Sequence, residues 1–544
     1  MHILVDIYFH LVYTVFKFIL FNFFLHFPKE VKYMLSIVHS MCLHGLNGFF
    51  IHVQVDISPG MPYWEIVGLP DVSVRESKER VRTAIKNSGY DFPSRRIVVN
   101  LAPANLKKEG AFLDLPIAVG ILMDLEIISS FDYSSLIFLG ELSLDGTINP
   151  IHGVLPMCIE AKKLGISKVI VPSANAKEAS IVSGLDVIGV RNLQEVVHYL
   201  NGELVLLPEQ SDPLKLFSPS SSSYLDFADV KGQENIKRAL EIAAAGAHNC
   251  LLIGSPGSGK TMLAKRLPTI LPDLTFEEAL EITKIHSIAG TLPSAMPLLT
   301  TRPFRSPHHT ISATSLVGGG KIPKPGEISL AHFGVLFLDE LPEFNKKTLE
   351  VLRAPLEDKV VTISRVNASL TYPCNFMFVA SMNPCPCGFY GSKEKDCTCT
   401  PQAISRYMNK ISGPLLDRID IQIEVTPVAY EKLDSTASLE TSCKIRKRVN
   451  MARTRQIERY ASYGIFSNSE LTPSLIDKYC ILDESSKQLL QNAFQKLNLS
   501  ARAYHRILKV ARTIADLDEK DKIEVKHVAE AIQYRNLDRK YWKN

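Results

Sequence analysis

Cys250-Leu-Leu-Ile-Gly254-Ser-Pro-Gly-Ser-Gly-Lys-Thr261-Met-Leu-Ala-Lys-Arg-Leu267 is the stretch on which the fold turns. An apolar run of strand character enters Gly254, Ser255, Pro256, Gly257, Ser258, Gly259, Lys260 and Thr261, and a helical run leaves it. That order matches G-x-x-x-x-G-K-[ST] in its proper setting, strand before and helix after. The glycines let backbone N–H groups wrap phosphates, and the helix N-terminus adds positive potential where an anion would sit. Lys260 is expected to contact the β- and γ-phosphates of a nucleoside triphosphate, and the Thr261 hydroxyl to ligate Mg²⁺.

A phosphate loop needs a carboxylate for the metal and a group that activates water. Gly334-Val-Leu-Phe-Leu-Asp339-Glu340 offers both at the end of a buried-type strand. Asp339 is expected to hold Mg²⁺ and Glu340 to polarise the attacking water. Phe376-Met-Phe-Val-Ala-Ser-Met-Asn383 is a further apolar strand with a polar end, so Asn383 is a candidate to orient that water. Alternation of such strands with helices across 226–425 predicts a parallel sheet.

The rest of the chain is read outward from this core. Before it, strands are expected over 49–57, 64–67, 96–101, 137–139 and 169–171, with helices over 72–88 and 155–164, which makes 34–205 a mixed α/β domain. The Pro- and Ser-rich run from Pro208 to Ser223 marks a linker at 206–225. From Pro427 onward no convincing strand is seen, and helices over 430–460, 474–497, 501–517 and 525–534 predict an all-α region at 426–544.

Residues 1–33 stand apart, with seven Phe and three Tyr. A spanning helix needs about 20 predominantly apolar residues, and this window is interrupted by Asp6, His10, Lys17, Asn22 and His26. A signal peptide would need a basic start and a small-residue cleavage site, and neither is present. The expected reading is a spurious extension ahead of a start at Met34, because the Phe, Ile, Leu, Tyr and Lys bias is that of translated A/T-rich sequence. The 544 residues otherwise carry 46% hydrophobic and 22% charged positions, an ordinary globular balance that excludes disordered and collagen-like classes. Ten cysteines are too few for a disulfide scaffold. A net charge of +4, from 61 basic and 57 acidic residues, does not by itself argue for nucleic acid.

Two local features add chemistry. Cys385, Cys387, Cys397 and Cys399 fall in one loop beyond Asn383. Structural Zn²⁺ is the favoured reading, although two C-x-C pairs are tighter than the usual C-x₂₋₄-C, and metal-free thiols or redox chemistry are the alternatives. Residues 444–459 hold seven basic side chains and one acid. As a helix with Ile445, Val449 and Ala452 inward, they would present a solvated face or a phosphate-binding one.

The motifs resemble those of AAA+ ATPases, and more closely the Mg-chelatase-like ComM/YifB branch. Matching segments are Gly45-Leu-Asn-Gly, Val67-Gly-Leu-Pro-Asp, Arg302-Pro-Phe-Arg-Ser-Pro-His-His, the run from Gly326 to Glu340, Asn383-Pro-Cys-Pro-Cys-Gly and Gly413-Pro-Leu-Leu-Asp-Arg-Ile-Asp420. The resemblance implies an AAA+ αβα core that binds ATP and Mg²⁺ beneath a C-terminal helical lid. It implies Arg418 as the arginine finger, Arg502 (with Arg506 as rival) as the sensor-2 arginine, and Asp229-Val-Lys-Gly-Gln as the segment beside the adenine. It further implies a cytoplasmic homo-hexamer without stable membrane association, moving on single-stranded or branched DNA and driving branch migration in natural transformation. The alternative is a chelatase-like ATPase that remodels a protein partner. The N-terminal domain resembles the Lon-protease proteolytic domain, of ribosomal S5 domain 2-like fold, through the segments starting at Gly140 and Gly165. Yet its nucleophile region, Gly110-Ala-Phe-Leu-Asp-Leu-Pro-Ile-Ala118, has no Ser, and Leu155 stands where the Lys is expected. The fold is therefore expected without proteolysis.

Overall fold

The computed structural model describes residues 35–129, 134–212, 225–293, 296–320, 323–365, 368–392, 395–428, 440–497 and 499–542. The expected extension at 1–33 and most of the linker lie outside them.

The N-terminal domain starts as a hairpin. Ser36–His44 and Asn47–Ser58 alternate buried and exposed positions and pair antiparallel from His44↔Asn47 to Ser36↔Val55. Gly45, at φ +63, makes the two-residue connection possible. Arg96–Ala102 pairs with the second hairpin strand and Tyr63–Val67 joins it in parallel, giving a four-stranded sheet. The helix Val72–Asn87 begins at Asp71, whose carboxylate accepts the Val74 N–H at 2.8 Å. It buries Val74, Ser77, Val81, Ala84 and Ile85, the three-to-four spacing that the sequence shows. A second sheet of Leu136–Phe138, Lys168–Pro172 and Asp186–Val190 is parallel.

This domain docks on the core through an apolar seam. Leu155 and Ile181 pack with Leu274, Ala279, Ile282 and Leu298, the core residues lying in and around the helix Phe276–Ala289. Gly153 N–H donates to Ser287 O across the seam. The long interval between Lys260 and Asp339 supplies that docking helix.

The core itself is a five-stranded parallel sheet in the order Phe304–Arg305, Val335–Leu338, Met377–Met382, Cys250–Gly254, Ile421–Val425. Its three central strands are buried at every position, as expected for a parallel sheet covered on both faces. Beyond Val425 the described residues form helices, with one isolated β-bridge between Leu482 and Ile523. The long helix expected from 430 is described from Ser442 to Tyr460, and 429–439 lie outside the described residues. Ala501–Leu517 and Ser442–Tyr460 both pack on Glu234–Gly246, which ties the helical region to the core beside the phosphate-loop strand. Among the described residues no helix is long and apolar enough to cross a membrane.

Candidate nucleotide site

All strands of the core sheet run the same way, so the loops after their C-terminal ends share one edge, where ligands bind in open α/β sheets. The strand Cys250–Gly254 delivers the loop 255–259, and the helix Lys260–Arg266 leaves it. Gly257 and Gly259 stand at φ +77 and +90, a backbone that side-chain-bearing residues avoid. A Cβ at Gly254 would lie 2.2 Å from Val425 O, so the neighbouring strand demands glycine there. The Ser258 hydroxyl is buried without a partner, as a group awaiting an anion would be.

The side chains converge. Lys260 Nζ donates to Gly254 O (2.8 Å), Ser255 O (2.9 Å) and Asn383 Oδ1 (3.1 Å). Burial pulls its pKa below the ordinary lysine value, with Asp339 and Glu340 acting against that shift. Thr261 Oγ1 donates to Asp339 Oδ2 at 2.7 Å. The hydroxyl and carboxylate expected to share Mg²⁺ thus already face each other, and both are hard oxygen donors suited to that ion. Glu340 follows on an exposed left-handed turn at φ +53, where a non-glycine residue stores about 1–2 kcal/mol of strain.

One residue of this site is not singled out by the sequence. Ser381 donates its hydroxyl to Asp339 Oδ1 and so fixes the carboxylate from the neighbouring strand. A lone hydroxyl in the apolar run 376–382 was the available signal. Gln233 Nε2 donates to Ser258 O (2.9 Å) and Thr426 O (3.1 Å), bracing the phosphate loop against the last strand. The segment expected beside the adenine therefore touches the loop through its final residue. Its Asp229 pairs with Arg266 at 3.0 Å.

Arg418 and Arg502 are not part of this cluster. Cys250 pairs with Ile421 and Gly254 with Val425, so residue 418 lies at the sheet edge opposite the phosphate loop. There Arg418 donates to Arg353 O (3.0 Å), Pro414 O (2.7 Å) and the Glu357 carboxylate. Arg502 opens the helix Ala501–Leu517 and pairs with Asp417 at 3.2 Å, its side chain 63% exposed. Arg506 is engaged by Asp420, which also meets His248 at 3.4 Å. Of the two rival arginines, only Arg502 is open to solvent.

The basic helix buries Ile445, Val449 and Ala452 as expected, and its arginines find partners within the chain. Arg448 reaches Glu241 and Glu440, each at 2.5 Å, Arg459 clasps both oxygens of Asp516, and Arg453 donates to Ala244 O and Ala245 O. Arg446 bonds Thr269 O, and Arg455 sits 3.7 Å from Glu519 and Asp521. Its arginines have acceptors within the chain, yet Arg446 and Arg448 keep 38% and 40% of their side chains exposed and share a solvated or phosphate-facing surface with Lys444 and Lys447. Most of these acceptors come from distant segments, invisible in the helix's own sequence.

Where the N-terminal domain meets the core, Gly110, Ala111 and Phe112 line a cavity of about 520 Å³ with His44, Glu109, His152 and the core's Lys324 and Tyr372, and no Ser, Thr or Cys among the described residues lines it. Just beyond, Asp114 is buried and held by Ser77, Arg80 (2.8 Å) and the Leu142 N–H.

Comparison with known proteins agrees with this architecture. The chain matches "Magnesium chelatase, subunit ChlI" over residues 226–433. It matches "Subunit ChlI of Mg-chelatase" over 53–175, and the "Magnesium chelatase, subunit ChlI C-terminal" family over 439–535. It is 44% identical to the uncharacterized protein YifB of Salmonella typhimurium over 93% of this chain and 98% of that protein. It is likewise 44% identical to the competence protein ComM of Haemophilus influenzae, over 92% and 98%. A weaker likeness, 26% over 34% of this chain and 36% of the relative, links it to Lon protease 2 of Bacillus subtilis. The chain belongs to the Mg-chelatase-like AAA+ family, in the branch that contains YifB and ComM.

Proposed function

We propose that this chain is the subunit of a homo-hexameric, ATP-hydrolysing motor that acts on single-stranded or branched DNA. The observation that carries the ATPase half is the convergence of Lys260, Thr261, Asp339 and Asn383 at one sheet edge while Arg418 sits at the other. When bound, Mg²⁺ would neutralise charge between the β- and γ-phosphates. Lys260 takes the phosphates, releasing its own loop carbonyls, and Thr261 and Asp339 offer the metal their oxygens. Glu340 accepts a proton from the attacking water and Asn383 orients that water. Arg418 cannot serve its own nucleotide across the sheet, so a neighbouring subunit's ATP is its target, and hydrolysis requires assembly. Arg502, on the same edge, is assigned the same direction of reach.

The DNA half rests on the likeness to a competence protein, and branch migration in recombination is the activity that fits a ring of such motors. A cytoplasmic location follows from that substrate. The N-terminal domain is read as Lon-like without proteolysis, since the stretch Gly110–Ala118 carries no Ser and Leu155 stands where a Lys is expected. One observation favours the second reading, a chelatase-like motor that remodels a protein: the arginines of the basic helix are engaged within the chain. Hydrolysis measured with and without single-stranded and four-way-junction DNA separates the two. Stimulation with binding supports the DNA motor; neither effect leaves the protein-remodelling reading.

A further inference from the structure

The loop that leaves Asn383 holds the second concentration of chemistry in the core. The sulfurs of Cys385, Cys387, Cys397 and Cys399 all lie within 4.8 Å of one another. The shortest approaches are 3.3 Å for Cys385–Cys387, 3.5 Å for Cys387–Cys397 and 3.6 Å for Cys385–Cys397. These are too long for disulfides, whose sulfurs sit about 2.05 Å apart. They are close to the roughly 3.8 Å edge of a tetrahedron of sulfurs drawn at about 2.3 Å around one ion. Two backbone amides point at the cluster, Cys387 N–H at Cys399 Sγ (3.4 Å) and Tyr390 N–H at Cys385 Sγ (3.3 Å). Amides aimed at sulfur stabilise thiolate charge, which is how metal-bound cysteines are supported from behind. Four thiolates in a cage this small suit a single soft divalent cation, and tetrahedral S₄ geometry points to zinc.

The placement of the cage matters as much as its chemistry. Asn383, two residues before Cys385, accepts the hydrogen bond from Lys260. Gly388, at φ +86, passes so close to the phosphate loop that a Cβ there would lie 2.4 Å from Pro256 Cδ. Cys399 is followed by Thr400, which caps the helix Pro401–Met408 through the Ala403 N–H. Tyr407 of that helix is buried, and its hydroxyl meets the Asn383 backbone. Both arms of the loop therefore return to Asn383, and its middle presses on the nucleotide loop.

We infer that Cys385, Cys387, Cys397 and Cys399 bind one Zn²⁺ ion, and that the metal-closed loop braces the phosphate loop and Asn383 in the form that binds nucleotide. The brace rests on the reading of 254–261 as an ATP site; the metal site does not. The test uses the full chain, with elemental analysis of the purified protein and the affinity of a fluorescent ATP analogue as paired readouts. Wild type should carry one zinc per chain. Cys397→Ser should lose it and bind the analogue about tenfold more weakly, the size expected when one well-placed hydrogen bond to the nucleotide is lost. Zinc stripped from wild type by a chelator should weaken binding to the same extent, and added Zn²⁺ should restore it, which removes any doubt from misfolding of the variant. Gly388→Ala should lose affinity while elemental analysis still finds its zinc, because the added Cβ would push the loop off Pro256 and leaves all four sulfurs in place. Lys260→Ala should keep full zinc while failing to bind the analogue. Wild type without zinc, or with iron in its place, overturns the site. Zinc loss without a change in affinity, or Gly388→Ala binding as wild type, overturns the brace. A zinc-loaded wild type that binds no ATP analogue sinks the ATP-site reading and the brace together, and leaves the metal site standing.

Discussion

The two edges of the core sheet are built on opposite plans. At the phosphate-loop edge, Asp339 and Asn383 stand just after the ends of buried strands, and they meet Lys260 and Thr261 at the start of the helix that leaves the phosphate loop, with Ser381 of the sheet holding Asp339. At the other edge, Arg418, Asp420 and Arg502 are held by groups from the helix Arg353–Asp358, the lid and the segment before Cys250. The first edge is rigid because the backbone ladder fixes it. The second is fixed by ion pairs between elements, so it can respond to a neighbour. The proposed ring would use one edge of each kind, a site that binds and a face that reports on a neighbouring subunit.

The largest effect should come from the rigid edge. Lys260→Ala removes the cation that now holds three acceptors at that edge, and ATP binding and every nucleotide-dependent activity should vanish in a filter-binding and phosphate-release assay. Retained binding would show that the two edges do not differ as described. Arg418→Ala tests the other edge. We expect ATP binding within a factor of about three of wild type but hydrolysis lowered by about 10³ or more, the range for a removed arginine finger. Mixing Arg418→Ala with Lys260→Ala subunits should restore part of the activity, because some interfaces then pair an intact loop with an intact arginine. No recovery would refute action on a neighbour.

What was legible in the sequence follows the same division. The residues Gly254 to Thr261, Asp339, Glu340 and Asn383 are readable because each motif is contiguous and its strand context is local. Ser381 escapes such reading because a single hydroxyl signals nothing until a second strand is placed beside it. Two partners of the basic helix are hidden for the same reason: Glu241 and Asp516 are far from it in sequence and adjacent in space. The four cysteines were countable, but the contact of Gly388 with Pro256 is a matter of packing that no spacing rule contains. That Arg418 lies a strand length from its own phosphate loop could be read only from the register Cys250↔Ile421.

A third measurement sharpens the claim that ion pairs hold the second edge. Asp420 is buried between Arg506 of the lid and His248, and it also accepts the Asn249 N–H. Asp420→Ala leaves those donors without their acceptor, and breaking a buried pair of this kind costs about 3–5 kcal/mol. Denaturant unfolding of the two proteins should show a loss of that size. The pH dependence has a definite sign. Burial pushes the Asp420 carboxyl up, but Arg506, His248 and Lys509 overcome this and hold it well below the usual carboxylate range. A folded-state pKa below the unfolded value of about 3.9 means the stabilisation is full above that pH and fades as the pH falls beneath it. The stability gap between wild type and Asp420→Asn should therefore narrow on acidification below about pH 4. A gap that widens there would assign the stabilisation to another group.

Arg502 should give the smallest change, and the most discriminating one. Its side chain is 63% exposed and its partner Asp417 is 36% exposed, so this pair contributes at most about 1 kcal/mol to folding. Arg502→Ala should accordingly unfold at nearly the wild-type denaturant concentration. If the arginine reaches a neighbour's phosphate once subunits assemble, the variant forfeits a charge-assisted hydrogen bond worth about 1.5–3 kcal/mol, or about 10- to 100-fold in the apparent ATP affinity of the assembled ring. The monomer at low concentration should show no such loss, because in the isolated chain Arg502 lies at the edge away from the phosphate loop. An equal loss in monomer and ring would mean that Arg502 swings to its own nucleotide, and the two edges would then be less independent than the ion pairs make them.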